Sequence, residues 1–137
     1  MTAFVLDCSI AMTWCFEDEA RPDTDRLLDR VRDDGAIVPA LWYWEVANVL
    51  NSAVRRGRLA SGDVATRVGL LAVLPIEVDQ DAASRAWRET LMLAQGQSLT
   101  AYDAAYLELA IRRRAELATR DKDLQIAATR LGLTVLP

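Results

Sequence analysis

Apolar positions along the chain fall into two kinds of stretch. The short runs AFVL (3–6), AIVP (36–39), IEV (76–78), ELAT (116–119) and TVL (134–136) are too brief for helices and predict strands. The first is apolar throughout and stops at an acid, Asp7, which fits a buried strand of a parallel sheet. Between the strands the spacing is helical. SIAMTWCF (9–16) predicts a short helix capped by Ser9, and TDRLLDRVRDDG (24–35) a helix that carries Leu27, Leu28 and Val31 and stops at Gly35. LWYWEVANVLNSAVRR (41–56) predicts a long, mostly apolar helix ended by Gly57. SGDVATRVGLLAVL (61–74), with Ser61 as cap, DAASRAWRETLMLAQG (81–96), a stretch from about Thr100 to Arg114, and KDLQIAATRLG (122–132) predict the remaining helices.

Strands thus alternate with helices from end to end. That order predicts an α/β fold, a three-layer α/β/α sandwich with a mostly parallel central sheet and right-handed crossovers. No repeat, low-complexity tract or linker divides the chain, so residues 1–137 are expected to form a single domain. With 52% of its residues apolar, a chain of 137 residues can bury a core of its own. Charges interrupt every window of membrane-spanning length, and the first residues lack the pattern of a secretory leader. A cytoplasmic protein with no membrane association and with reduced Cys8 and Cys15 is the expectation.

Composition narrows the chemistry. The absence of histidine removes the commonest general base and zinc ligand, together with any Ser-His-Asp or Cys-His pair. The net charge of −4 argues against tight unspecific nucleic-acid binding, although RRGR (55–58) and RRR (112–114) leave local phosphate contact open. Taken alone, each arginine cluster reads as a solvated helix end.

The acids are more informative. In an open parallel sheet the ligand site lies beyond the carboxyl ends of the strands. Asp7 follows the first strand, and Asp121 and Asp123 follow ELAT in the same way. Glu45 begins the helix after AIVP, and with Asn48 and Ser52 it makes a polar stripe on an otherwise apolar helix. Asp103 stands at the start of a helix apolar nearly all round. Each acid has an ordinary alternative: Asp7, Asp121 or Asp123 as a helix cap, Glu45 as a first-turn acid answering the helix dipole, and Asp103 as part of a capping box with Thr100. Converging carboxylates in apolar surroundings would need a cation, however, and an oxygen-only donor set favours Mg²⁺ or Mn²⁺ over zinc.

In order, VLDCS (5–9), WEVANVL (44–50), LTAYDAAYLELA (99–110) and LATRDKDL (117–124) resemble the motifs of the PIN-domain nucleases, and specifically the VapC-like toxins of type II toxin-antitoxin modules. The resemblance implies a Rossmann-like fold and an acidic pocket in which Asp7, Glu45, Asp103 and Asp121 hold one or two Mg²⁺ or Mn²⁺ ions, with Asp123 as an additional ligand. It also implies an endoribonuclease that cleaves RNA, is inhibited by a cognate VapB-like antitoxin and forms a homodimer. Hydrolysis by metal-activated water would leave a 5′-phosphate and a 3′-hydroxyl. Ser9, Asn48 and Thr119 are the candidates for orienting the carboxylates, and Arg112 to Arg114, Arg120 and Lys122 for touching phosphate. Trp14, Trp42, Tyr43 and Trp44 are expected in the core, with part of their surface available to a dimer or antitoxin groove. A receiver-type signalling domain would need paired acids after the first strand, and a dehalogenase-type phosphatase would need Asp-x-Asp, where this chain has Asp7-Cys8-Ser9. The alternatives within the fold are a PIN-domain nuclease of RNA processing and a catalytically silent module that binds a partner.

Overall fold

A computed structural model describes residues 2–137. Five strands, β1 (Phe4–Leu6), β2 (Ala36–Pro39), β3 (Ile76–Asp79), β4 (Leu117–Ala118) and β5 (Val135–Leu136), form one sheet in the order β3-β2-β1-β4-β5. All four pairings are parallel. Seven α-helices connect them: α1 (Cys8–Cys15), α2 (Pro22–Asp34), α3 (Leu41–Arg55), α4 (Val64–Ala72), α5 (Leu91–Gln97), α6 (Ala101–Arg113) and α7 (Lys122–Arg130). Phe4, Val5 and Leu6 are each fully buried although successive strand side chains point to opposite faces. Both faces of β1 are therefore covered, as in an α/β/α sandwich.

The strand order fixes where a site can form. From β1 the chain moves outward through β2 to β3, then crosses back to lay β4 and β5 on the other side of β1. The direction reverses at β1, and the crevice at its carboxyl end lies between diverging connections. Gly35 makes one of these connections possible. It ends α2 with φ +83°, donates to the Val31 carbonyl at 2.8 Å, and any Cβ there would stand 3.0 Å from the Pro75 carbonyl oxygen.

Three local expectations are corrected. Helix α1 begins at Cys8 with Asp7 in the N-cap position, so Ser9 lies inside the first turn and caps nothing. Ser61 opens a 3₁₀ turn (Ser61–Asp63) without a capping bond, and α4 follows from Val64 to Ala72. The stretch 81–96 is not one helix. It is a 3₁₀ turn (Ala83–Arg85), a π turn (Ala86–Thr90) and then α5, which continues to Gln97. The extra residue in a π turn shifts the helical phase, which buries Thr90 and Ala94 while leaving Trp87 at 94% exposure.

Polar bonds tie the layers together. The Trp14 indole N–H donates to the Thr24 carbonyl at 2.8 Å, joining α1 to α2, and Arg67 Nε donates to the Cys15 carbonyl at 2.7 Å, joining α4 to α1. Arg112 on α6 donates to both carboxylate oxygens of Asp79 at the end of β3 (2.9 and 2.8 Å) and to both of Glu108 (2.8 and 3.0 Å). Asp79 and Glu108 are buried, and this pairing holds the Asp79 carboxyl below its ordinary range.

Candidate active site

Asp7 is the most constrained of the acids. Its backbone N–H donates to the Ala118 carbonyl at 3.0 Å, which fixes the end of β1 against β4. One carboxylate oxygen, Oδ2, accepts from both the Ser9 and the Thr119 hydroxyl, each at 2.7 Å. Those hydroxyls in turn accept from the backbone: Ser9 from the Arg120 N–H at 2.9 Å, and Thr119 from the Asp121 N–H at 3.0 Å. Each hydroxyl has one proton, and its backbone donor fills an acceptor position, so both protons go to Asp7. Burial pushes the Asp7 carboxyl up, the Ser9 and Thr119 bonds oppose that rise, and the net shift is upward.

Glu45 meets the centre from α3. Its Oε1 accepts a short hydrogen bond from the phenol of Tyr106, which is fully buried on α6. Desolvation, opposed by this bond and reinforced by the charges of Asp7 and Asp103, raises the Glu45 carboxyl to about 7. The Tyr106 phenol is pushed up by burial and by Asp7 and Glu45, so it remains a donor. Asp103 shares α6 with Tyr106, three residues earlier. Burial and the charges of Asp121, Asp7 and Asp123 raise its carboxyl to about 6. Asp121 caps α7, its Oδ1 accepting from the Leu124 N–H at 2.9 Å.

Asp7, Glu45, Asp103 and Asp121 thus come from four separate parts of the chain and act on one another's charge. Among the described residues, none of the four, nor Asp123, forms an ion pair with a cationic side chain. Three of them have one oxygen anchored by protein hydrogen bonds: Asp7 through Oδ2, Glu45 through Oε1 and Asp121 through Oδ1. Asp103 has no hydrogen bond on its carboxylate; only its backbone N–H is engaged, donating to the Thr100 hydroxyl at 3.1 Å. The capping box is therefore only half formed. Among the described residues no three acidic or thiol groups stand close enough together to hold a metal ion as they are arranged here. The donor set is all oxygen and lacks a cationic partner, which is the chemistry of a hard divalent cation; such an ion would offset charges that burial first, and mutual repulsion second, make costly.

The remaining sequence candidates divide. Thr119 is fully buried and Ser9 half-buried, and both hold Asp7, whereas Asn48 is exposed. Glu45 lies beyond the first turn of α3, which contains no acid, so the helix dipole does not account for it. Arg112 and Arg113 are bound to Asp79, Glu108 and Glu77, and Arg120 pairs with Glu19 at 3.3 Å; these arginines are engaged within the fold. Trp42 is buried, but Tyr43 and Trp44 are 47% and 77% exposed, so the aromatic cluster is core only in part. Tyr106 was not singled out from the sequence. Its spacing of three from Asp103 was the available signal.

The chain matches the family model of the PIN domain over residues 4–129. No curated protein matches it. Among solved structures it is similar to PAE2754 from Pyrobaculum aerophilum (TM-score 0.72, 21% identity, 98% of this chain and 90% of that one). It is also similar to a chain of a toxin-antitoxin complex from Klebsiella pneumoniae (TM-score 0.56, 21% identity, 88% and 89%). FitAcB from Neisseria gonorrhoeae is a third (TM-score 0.54, 17% identity, 98% and 96%). With four acids gathered at the reversal point of a parallel sheet and a family match over nearly its whole length, the chain belongs to the PIN-domain family.

Proposed function

We propose that this PIN domain is a Mg²⁺- or Mn²⁺-dependent endoribonuclease, the toxin of a type II toxin-antitoxin module, restrained by a cognate VapB-like antitoxin and acting as a homodimer. The observation that carries the reading is the cluster of Asp7, Glu45, Asp103 and Asp121 without a cationic partner in the fold. An acidic cluster repels a phosphodiester, so catalysis requires a cation between the two. The toxin assignment draws on the motif resemblance and on the likeness in fold to a chain taken from a toxin-antitoxin complex.

Asp7, Glu45, Asp103 and Asp121 would hold the ion, with Asp123 as an additional ligand. When bound, such an ion lowers the pKa of water and offsets charge on the scissile phosphate. The protein's share is positioning. Ser9 and Thr119 fix one oxygen of Asp7, Tyr106 fixes one oxygen of Glu45, and the α7 cap fixes one of Asp121. Each of these carboxylates keeps its other oxygen for ligand.

The test is cleavage of a mixed RNA pool by partner-free protein with Mg²⁺ or Mn²⁺, beside EDTA and the Asp7→Asn and Asp103→Asn variants. Cutting that needs the ion, fails in both variants and leaves 5′-phosphate ends supports the reading. Cyclic-phosphate ends formed equally well in EDTA would overturn it.

A further inference from the structure

Beside the acids lies a second feature that the chemistry above does not use. A pocket of about 270 Å³ is lined by Pro39, Leu41, Thr90 and Tyr102 and by six alanines, among them Ala101 and Ala105. Two helices that carry acids of the centre, α3 and α6, also contribute to its lining. Leu41 stands one turn before Glu45 on α3, and Ala101 and Tyr102 immediately precede Asp103 on α6. None of its lining residues carries a charge.

We infer that this pocket is a subsite for one nucleobase of the RNA strand, with Tyr102 as the stacking face. The inference rests on the ribonuclease reading. Three observations select the occupant. The uncharged lining excludes phosphate and favours the neutral part of a nucleotide. The small alanine side chains of the lining leave open space on the same two helices that carry Glu45 and Asp103. Tyr102 is 66% exposed, a π-face unclaimed by the core, and single-stranded RNA is recognised by stacking splayed bases on such side chains. Thr90 is 4% exposed and lines the same pocket, where a hydroxyl serves either a donor or an acceptor on a base edge. Trp44, 77% exposed and immediately before Glu45, is a second exposed aromatic surface on α3.

The experiment varies the pocket while the acids are the same in every protein compared. Tyr102→Ala removes the stacking face, Tyr102→Phe keeps it without the phenol, and Ala105→Leu fills the space; thermal unfolding checks that each variant folds. Binding of fluorescein-labelled single-stranded RNA oligomers, intact or with one abasic position moved along the strand, is measured by anisotropy with Mg²⁺ in an Asp7→Asn background. Positions of cutting in an RNA pool are mapped separately in active protein. We expect Tyr102→Ala and Ala105→Leu to weaken binding ~10-fold, within the range for loss of one base stack, and Tyr102→Phe to restore it. One abasic position should cost the parent a similar factor and cost Ala105→Leu nothing further, and both pocket variants should redistribute the cuts. The inference is overturned if intact and abasic oligomers bind alike, or if the variants keep parental affinity and cutting positions. Parent protein that cuts no RNA yet discriminates abasic oligomers would defeat the ribonuclease reading while supporting the subsite.

Discussion

Neutralising Asp103 should make the cation-free protein more stable. In the fold this carboxyl rises from its ordinary 3.8 to about 6, first through burial and then through the charges of Asp121, Asp7 and Asp123. Between those two values the folded protein keeps a proton that the unfolded chain has released. Stability therefore falls as pH rises through the interval and stays reduced above it. At ~1.4 kcal/mol per unit of pKa, the ionised form costs the fold at most ~3 kcal/mol. Because the side chain is half-buried, solvent screening reduces this to about 1.5 kcal/mol. Asp103→Asn removes the charge at nearly constant volume and leaves the backbone N–H bond to Thr100 in place. Urea or thermal unfolding in EDTA near pH 8 should show the variant more stable by about 1.5 kcal/mol, a rise in Tm of ~5 °C for a chain of this size. The advantage should shrink as pH falls from about 6 toward 3.8. Added Mn²⁺ should raise the Tm of the wild type more than that of the variant, since an ion bound only by the folded state stabilises it by mass action. A variant equal to or less stable than the wild type at pH 8 in EDTA would refute the claim that these carboxylates are held together against their repulsion.

Three further outcomes follow from named contacts. Tyr106→Phe removes the donor that opposes the rise of Glu45, so the acidic limb of the pH-rate profile should move above about 7 with a modest loss of rate; an unmoved limb would detach Glu45 from the titration. Thr119→Val deletes one of two hydroxyl bonds to Asp7 Oδ2 and should lower cleavage or Mn²⁺ affinity ~10 to 100-fold, read by single-turnover kinetics and by titration followed by Tm. Arg112→Met alone strands Glu108 in the interior and leaves Asp79 only Arg113, at 3.6 Å, and should cost about 3 to 5 kcal/mol in denaturant unfolding. Adding Asp79→Asn and Glu108→Gln to Arg112→Met should recover most of that loss, because no uncompensated charge remains.

The sequence revealed the elements whose cause is local. β1 and β2 are apolar runs bounded by an acid or by helix-start residues, and Gly35 stops α2 where only a positive φ fits. The break in 81–96 was not legible, because Ala82, Ala86, Leu91 and Ala94 are compatible with a helix of ordinary phase. The π turn packs against α6, which lies later in the chain. The hydroxyl network shows the same limit. Ser9 next to a helix start reads as a cap, and it becomes a support for Asp7 because the loop after β4 brings Thr119 and the Arg120 N–H to the same place from more than 100 residues away.

The chain also contains two gatherings of buried or half-buried acids, and the sequence distinguishes them poorly. Glu108 and Asp103 both stand on α6 among apolar neighbours, and both are acids that a buried helix would ordinarily avoid. Glu108 and Asp79 meet Arg112, whose guanidinium satisfies four carboxylate oxygens and makes that cluster a structural tie between β3 and α6. Asp103, with Asp7, Glu45 and Asp121, receives hydroxyl, phenol and backbone donors at most, and the negative charge persists. Neutral donors orient a carboxylate without cancelling its charge, whereas arginine does both. A fold that placed arginine at one cluster and left only neutral donors at the other carries in the second an unbalanced field, which adds to burial in raising Glu45 to about 7 and Asp103 to about 6. A divalent cation is the species that would balance that field. Glu108 and Arg112 stand four residues apart on one helix, a pairing that a local pattern shows, but the Asp79–Arg112 contact spans 33 residues and the Thr119–Asp7 contact 112, beyond the reach of any local pattern.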